Sequence, residues 1–503
     1  MEKYDVIIIG SGLGGLECGV ILSREGYKVL VLEKNKQIGG NLQTFSRDKC
    51  IFDTGIHYIG GLEKGQNLYQ YFKYLGIMDS LKLKKLDENG FDIVTFEGDP
   101  TEYRYGQGYD NFIEIMSGHF PEEREGIIAY CNKIKEVCRN FPMYNLNPSG
   151  GDWSNIAYHD VSAKEFIESC TTNEKLRAVL AGTNLLYAGE GDKTPLYTHA
   201  LVINSYIESS YRCIDGGSQI AILLQRNILN NGGKVLKHAN AKKFVFEGDL
   251  IQAVELEDGR RFEADHFISN VHPAVTLDMV EEGKIRNAYR KRINSLENSV
   301  SVFILYIVLK KNTLESFNCN YYHFVKPDVW EGVSYTQDNW PHNYAVFTGT
   351  SSKENGYADT LISMAYMNYE ETKEWERTFN TVGYEDERGS SYEEFKNRKA
   401  EVLLEHMEKR FPGLRDKIYR YYTSTPLTYR DYIGTRDGSL YGIVKDYKDP
   451  MKSFISARTK IPNLLLTGQN LNMHGVLGVT IGAVVTCSEF LGNEYLMKKV
   501  KEA

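Results

Sequence analysis

Several features that would point directly to a function are scarce in this chain. Its eight cysteines are scattered over 503 residues with no CxxC pair and no metal-ligand spacing. That excludes a zinc framework and a dithiol redox centre by motif. Cys131 and Cys138, seven apart, would share a helix face, but two thiols alone do not make a metal site. Reduced, buried thiols of a cytoplasmic protein are the expectation. Positive charge is also short. A net charge of −8 and a pI near 5.9 provide no basic field against phosphate repulsion, which excludes nucleic acid as the main partner. Short basic runs, at residues 82–85 and from Lys498 onward, leave room only for peripheral contact with anionic lipid. No stretch spans a bilayer: residues 299–309 are too short, and residues 475–491 carry Glu489 and several glycines, as a buried core helix would. Only three residues precede the first strand, so no signal segment is expected.

What the chain does have begins at its fourth residue. Residues 4–9 read as a buried strand, Gly10-Ser-Gly12-Leu13-Gly14-Gly15 as a tight loop, and residues 16–25 as a helix. Residues 28–32 are a second buried strand ending on Glu33, with Lys34 after it. This order suits a dinucleotide. Gly10 permits the turn, Gly12 admits a pyrophosphate close to the backbone, and Gly15 lets helix and strand approach. The helix's free N–H groups face the phosphates, and Glu33 can accept both ribose hydroxyls. The segment Gly39-Gly40-Asn41-Leu42-Gln43-Thr44 offers a second close backbone passage and a hydroxyl, and residues 52–61, FDTGIHYIGG, follow. Near the other end a buried strand at residues 463–466 runs into Thr467-Gly468-Gln469. A glycine-rich turn at residues 475–478 then opens an apolar helix expected to begin near Val479.

Between these ends, residues 65–210 read as mostly helical. A strand-rich return follows: a helix from Gln219 through Asn230, then strands at 234–236, 243–247, 250–256, 261–262 and 266–270, with a hairpin at Asp258-Gly259. Residues 300–309 and 360–366 read as strands, and residues 392–410 as an amphipathic helix. The pattern gives two interleaved domains. A dinucleotide domain takes residues 1–62, 211–275 and 430–503, and a substrate domain takes residues 63–210 and 276–429.

Taken together, these separated motifs resemble the phytoene desaturase and carotenoid isomerase branch of flavoprotein oxidoreductases, and within it most closely the retinol saturases (all-trans-retinol 13,14-reductases). The resemblance rests on the glycine loop with Glu33, FDTGIHYIGG, Thr198-His-Ala-Leu-Val-Ile-Asn204 and Asp215-Gly-Gly-Ser-Gln219. Ser424-Thr-Pro-Leu-Thr428, the surroundings of Tyr441 and Gly442, and the LTGQN…GVLG ending complete it. It implies an α/β fold: an FAD-binding, Rossmann-like three-layer (β-β-α) domain with an inserted α+β substrate domain. It also implies FAD as cofactor. Gly10, Gly12, Leu13, Gly14 and Gly15 would line the pyrophosphate, and Glu33 and Lys34 the adenosine end. Gly39, Gly40 and Thr44 would run beside the flavin, and the Ala241 backbone would meet the adenine. Gly468, Gln469, Gly478 and Val479 would close over the ribityl chain and isoalloxazine. Desaturases often carry an acid where this chain has Gln469 and a proline near Gly475. Both departures lie closer to retinol saturases and weaken a carotenoid desaturation.

The implied reaction is hydride transfer at flavin N5 that saturates or desaturates a C=C bond of an apolar polyene or isoprenoid. His57 is the first candidate to handle the proton, as an imidazole titrating near neutrality, with Tyr58 second. Tyr441 and His474 are weaker candidates for the same site. The 35 tyrosines include pairs at 321–322 and 421–422, suited to walls around a polyene, and Trp330 and Trp340 stand in loops that would suit a membrane-facing entrance. Redox-neutral cis–trans isomerisation by reduced flavin, amine oxidation on the same scaffold, and a flavin-free prenyl-binding escort protein remain alternatives. No second strand–GxGxxG–helix unit is present, so the electron donor or acceptor stays open.

Overall fold

The computed structural model describes residues 2–147, 158–353, 355–382, 384–471 and 473–503. Its first sheet grows from the two apolar runs at the amino terminus. Strand Lys3–Ile9 pairs in parallel with Val29–Leu32 on one side and Arg261–Ser269 on the other. Lys234–Leu236 extends the parallel set beyond Val29–Leu32. The apolar runs at residues 6–9 and in Val29–Leu32 match burial on both faces, as a parallel sheet requires. Arg261–Ser269 serves two neighbours on its far side. Its first half pairs antiparallel with Leu250–Leu256, and its last three residues pair parallel with Leu464–Leu466. It is one strand where the sequence suggests two short ones, because the ladder with Lys3–Ile9 runs on through Glu263 and Ala264. Ala241–Glu247 closes the antiparallel edge.

Helix Leu13–Arg24 begins three residues earlier than expected, with Gly12 in an extended conformation as its N-cap. It packs between helices Ser218–Asn230 and Gly475–Leu491. Two glycines set how close this helix comes to the loop before it and to helix Ser218–Asn230. A β-carbon on Gly15 would lie 2.1 Å from the Gly10 carbonyl oxygen, and one on Gly19 would lie 2.7 Å from Ile228 Cδ1. Helix Gly475–Leu491 also starts earlier than expected, so the glycines at 475–478 form its first turn rather than a separate loop.

The second sheet has the strand order Ile418–Ser424, Ser301–Leu309, Thr360–Met367, Asn343–Thr348, Asn320–Phe324, Asp92–Phe96, Tyr103–Tyr105. Its pairings are antiparallel except for the parallel contact between Asn320–Phe324 and Asp92–Phe96. Every residue of Ser301–Leu309 is buried. The stretch expected to be mostly helical is therefore mixed. Leu83–Lys85, Asp92–Phe96 and Tyr103–Tyr105 are strands, too short to show a period, with Gly90 and Gly98 bracketing the buried run DIVTF. Residues 148–157 of that stretch lie outside the described residues. Helices Arg124–Arg139, Ala163–Cys170, Glu174–Leu180 and Leu196–Glu208 fill the remainder.

All eight cysteines are free thiols, and six of them are buried. Among the described residues no helix is long and apolar enough to cross a membrane. Trp340 does not mark an exposed entrance: it is buried, donates its indole N–H to the Tyr366 carbonyl at 2.7 Å, and lies under the Lys399 ammonium. Trp330 is partly buried against the core.

The contact at Gly15 gives a direct stability test. Gly15→Ala should destabilise the protein by about 1–3 kcal/mol through overpacking. Gly482→Ala, on an open helical position with no heavy atom within 4 Å of the added carbon, should leave it unchanged or more stable. Thermal unfolding of the two variants beside the parent checks both directions.

Candidate functional site

The ends of the parallel strands and one face of the second sheet enclose a cavity of about 430 Å³. One end of it is backbone. Gly10, Gly12, Leu13 and Gly14 form its floor, with Gly39 and Gly40 against them and Gly468 and Gln469 opposite. These segments touch. The Gly39 N–H donates to the Ser11 carbonyl at 2.9 Å, and a β-carbon on Gly40 would lie 3.2 Å from Gly12 Cα. Gly10, Gly39, Gly40 and Gly468 have φ of +93°, +109°, +56° and +100°, a region that favours glycine.

Between the Gly10–Gly15 loop and Gly468 is Asn270, which in the sequence is only a strand end. Its amide donates to the Gly10 carbonyl at 3.3 Å. β-Carbons on Gly12, Gly14 and Gly468 would meet that same amide at 2.9, 3.0 and 2.6 Å. A polar residue closing strand Arg261–Ser269, just where the parallel strands end, was the available signal.

Glu33 ends its strand as expected and is buried. Its carboxylate accepts from the Ser11 N–H at 3.2 Å, from the Ser11 hydroxyl, and from the Asn35 N–H at 2.8 Å. Lys34 lines the same wall and donates to the Asp431 carbonyl at 2.9 Å, and burial pushes its amine below the usual range. Ala241, with Ala239 and Asn240, completes this end. Val479 lines the cavity from helix Gly475–Leu491, whose N-terminal residues Gly475 and Val476 also face it and bring the positive end of the helix dipole there.

Three expected residues do not line this cavity. Gly15 serves the helix contact described above. Thr44 donates to the Ser218 hydroxyl at 3.0 Å and packs against Gly216, tying its hairpin to the turn before helix Ser218–Asn230. Asp53 strengthens the same joint by accepting from the Gly217 N–H at 2.7 Å, and burial raises its carboxyl to about 7. Gly478 lines a smaller neighbouring cavity of about 70 Å³, and a β-carbon on it would lie 2.6 Å from Met473 Cβ.

The other end is aromatic, with Tyr58, Tyr206, Tyr322, Phe347 and Tyr441 in the wall beside His57 and Met364. Of the tyrosine pairs singled out in the sequence, Tyr322 reaches the cavity, whereas Tyr321, Tyr421 and Tyr422 do not. His57 stacks on Phe347 with ring centroids 4.4 Å apart and planes 12° from parallel. Both of its ring nitrogens are buried and have no hydrogen-bond partner. Burial, with the Arg212 charge second, lowers its pKa to about 3, so the imidazole is neutral near pH 7 rather than titrating there. Tyr58 donates to Asp92 at 2.7 Å and lies 2.6 Å from the Tyr322 hydroxyl. His474 sits 3.2 Å from the Leu186 carbonyl, tilts against Tyr441, and is lowered to about 4 by burial. Among the described residues no group of His, Cys, Asp and Glu is arranged to hold a metal.

A backbone cradle that a β-carbon would fill, a buried acid at the strand end and a helix N-terminus opposite fit a dinucleotide. Comparison with known proteins agrees. Residues 8–75 match the NAD(P)-binding Rossmann-like domain family. The all-trans-retinol 13,14-reductase of Homo sapiens is 26% identical, over 97% of this chain and 86% of its own length. Prolycopene isomerase 1 of an Oncidium hybrid cultivar is also 26% identical, over 88% of this chain and 75% of its own. Among solved structures, an oxidoreductase from Methanosarcina mazei aligns with a TM-score of 0.64 at 19% identity, covering 96% of this chain and 99% of that one. Putrescine oxidase bound to putrescine aligns with a TM-score of 0.63 at 14% identity, covering 100% and 99%. These two show the fold, a Rossmann-like nucleotide-binding layer with a second mixed sheet. The chain is thus similar over nearly its whole length to retinol saturases, and over most of it to prolycopene isomerases, at about a quarter of its residues.

Proposed function

We propose that the protein binds FAD and acts on a C=C bond of an apolar polyene, saturating or desaturating it. The observation that carries this reading is the two-ended cavity: a glycine cradle with Glu33 at one end and an aromatic wall at the other. Gly10, Gly12, Leu13 and Gly14 would hold the pyrophosphate, Glu33 the adenosine ribose, and Ala241 the adenine. Gly39, Gly40, Gly468, Gln469 and Val479 would hold the flavin half. The division into a nucleotide domain (residues 1–62, 211–275 and 430–503) and a substrate domain (63–210 and 276–429) belongs to the same proposal.

Bound FAD would supply a two-electron hydride acceptor or donor that the side chains lack. The residues do the rest. Tyr206, Tyr322, Phe347 and Tyr441 present flat apolar faces that orient a conjugated chain and exclude water. His57, neutral and without a partner, offers a ring N–H and a lone pair to the bound molecules and orients them by hydrogen bonding. Tyr58 has a hydroxyl already linked to a carboxyl group and is the better placed of the two to move a proton. Redox-neutral isomerisation is the second reading, favoured by the similarity to prolycopene isomerase.

Anaerobic photoreduction of the flavoprotein followed by retinoids or carotenoids separates these readings. Flavin reoxidation with a saturated product is expected, whereas an isomerised product without net reoxidation selects the second reading. A reduced flavin left untouched by every polyene removes the substrate class. Glu33→Ala should raise the FAD dissociation constant roughly ten- to hundredfold through loss of charge-assisted hydrogen bonds. Fluorescence titration of the apoprotein reads this. By NMR, the His57 ring signals, assigned with His57→Gln, should not titrate between pH 5 and 8, because the group protonates only near pH 3.

A further inference from the structure

Asp92 is a buried acid bonded to the aromatic wall of the cavity through Tyr58. It is fully buried on strand Asp92–Phe96, and its two oxygens have different partners. Oδ2 accepts from the Tyr58 hydroxyl at 2.7 Å, and Oδ1 accepts from Asn320 Nδ2 at 2.8 Å. The parallel pairing of Asp92–Phe96 with Asn320–Phe324 sets Asn320 directly beside Asp92 and brings Tyr322 two residues further along the same strand. Tyr322 closes the chain, its hydroxyl 2.6 Å from that of Tyr58. Both tyrosines line the cavity, whereas Asp92 does not.

We propose that Asp92, Tyr58 and Tyr322 form a buried proton relay that serves the alkene carbon at the aromatic end of the cavity. The tyrosine hydroxyls are its catalytic groups, and Asp92 is the positioning residue that supplies and reclaims the proton behind them. This rests on the reading of the cavity as a flavin and polyene site.

In a saturation, bound FAD would supply the hydride for one alkene carbon. The neighbouring carbon would use the former π pair to take a proton from the Tyr322 hydroxyl. That hydroxyl is refilled from Tyr58 and, behind it, from the Asp92 carboxyl. The O–H bonds broken and formed along the chain balance, and the net change is one proton lost from Asp92. Desaturation runs the same chain backwards. Hydroxyl groups both donate and accept, so reversing the direction needs only rotation of the two phenolic hydrogens.

A carboxyl group behind the phenols solves a specific difficulty. Phenols ordinarily titrate near 10, and burial pushes Tyr58 and Tyr322 well above their usual range, so an isolated phenolate there is costly. Burial raises Asp92 to about 7, while Asn320, Tyr58 and then Arg212 pull in the opposite direction. The charge left after proton transfer therefore rests on the carboxylate. Other groups that face Asp92 are Tyr105 on the neighbouring strand, Tyr206 on helix Leu196–Glu208, and Cys319. Arg212, on strand Ser210–Cys213, donates to Asn320 Oδ1 at 2.8 Å and so orients the amide that holds Asp92.

Two measurements test the relay in the holoprotein. Without substrate, the infrared difference between wild type and Asp92→Asn, which cancels the Asp53 carboxyl, should show a carboxylic C=O band that disappears with a midpoint near pH 7. The midpoint of that Asp92 band should rise in Tyr58→Phe, which loses a hydrogen bond to the carboxylate. With a polyene that is turned over, the saturation rate should fall above about pH 7. Asp92→Asn should remove that break and cost about a hundredfold in rate, with flavin content retained. Tyr322→Phe, which removes a single hydroxyl, should cost a similar factor and covers the case in which Asp92→Asn does not fold. A wild-type protein with no carboxyl band titrating between pH 5 and 9, or a midpoint unmoved in Tyr58→Phe, would overturn the relay even if no polyene reacts. So would an unchanged pH–rate profile in Asp92→Asn. If polyenes fail while the infrared coupling holds, the substrate class is lost and the coupled carboxyl stands.

Discussion

The candidate site depends on three stretches of backbone lying closer together than side chains would permit. The loop of Gly10 to Gly15 and the strand end at Gly468 converge on the single side chain of Asn270, and the turn at Gly39 and Gly40 packs on that loop at Gly12. A β-carbon at Gly12, Gly14 or Gly468 would strike the Asn270 amide, and one at Gly40 would come within 3.2 Å of Gly12. The convergence is possible because the strands carrying these segments are parallel neighbours, so their carboxyl ends emerge on one edge of the sheet. Ligands bind at such edges because the helices that follow aim their N-termini there. Both Leu13–Arg24 and Gly475–Leu491 do so here, and they also pack against each other, which keeps the two positive ends together.

The aromatic end follows a different constraint, that of polar groups removed from water. His57 is held by stacking on Phe347 and has no hydrogen-bond partner, so desolvation keeps it neutral. Tyr58 has the opposite arrangement, with two oxygen partners at hydrogen-bonding distance. Adjacent in sequence, the two residues meet the same low dielectric in different ways: one keeps its hydrogen-bonding capacity free for a ligand, and the other commits it to a buried network. A buried network of this kind is stable only if every member is satisfied. Asn320 and Arg212 complete it around Asp92.

The nucleotide half was legible in the sequence because its signals are local. The residue order from Gly10 to Glu33 encodes strand, turn, helix and strand directly, and all but Gly15 of the glycines named there reach the cavity. The differences at this end also have local causes. The place of Thr44 after two glycines suggests the cofactor, whereas its hydroxyl donates to Ser218, 174 positions away. Helices Leu13–Arg24 and Gly475–Leu491 start earlier than their glycines suggest, because a first helical turn tolerates glycine. The aromatic half was much less legible. Asp92–Phe96 is five buried residues, too short for periodicity, inside a stretch whose other elements are mainly helices. Tyr322 stood out only as half of a tyrosine pair, and nothing in the order of residues distinguishes it from Tyr321, which points elsewhere.

That difference in legibility follows from how the two halves are assembled. The nucleotide cradle is mostly backbone, and the need for glycine is written into the positions where chains touch. The aromatic wall is made of side chains from the segment after FDTG, helix Leu196–Glu208, strands Asn320–Phe324, Asn343–Thr348 and Thr360–Met367, and the loop at Tyr441. The contributing segments run from residue 56 to residue 441, and the parallel pairing that joins Asp92 to Asn320 spans 228 positions. A wall assembled this way can change one residue at a time without disturbing the cradle, because no cradle glycine packs on it. The Asp92 network joins that wall from behind, through the hydroxyls of Tyr58 and Tyr322, so these two residues are tied to the buried acid as well as to the cavity.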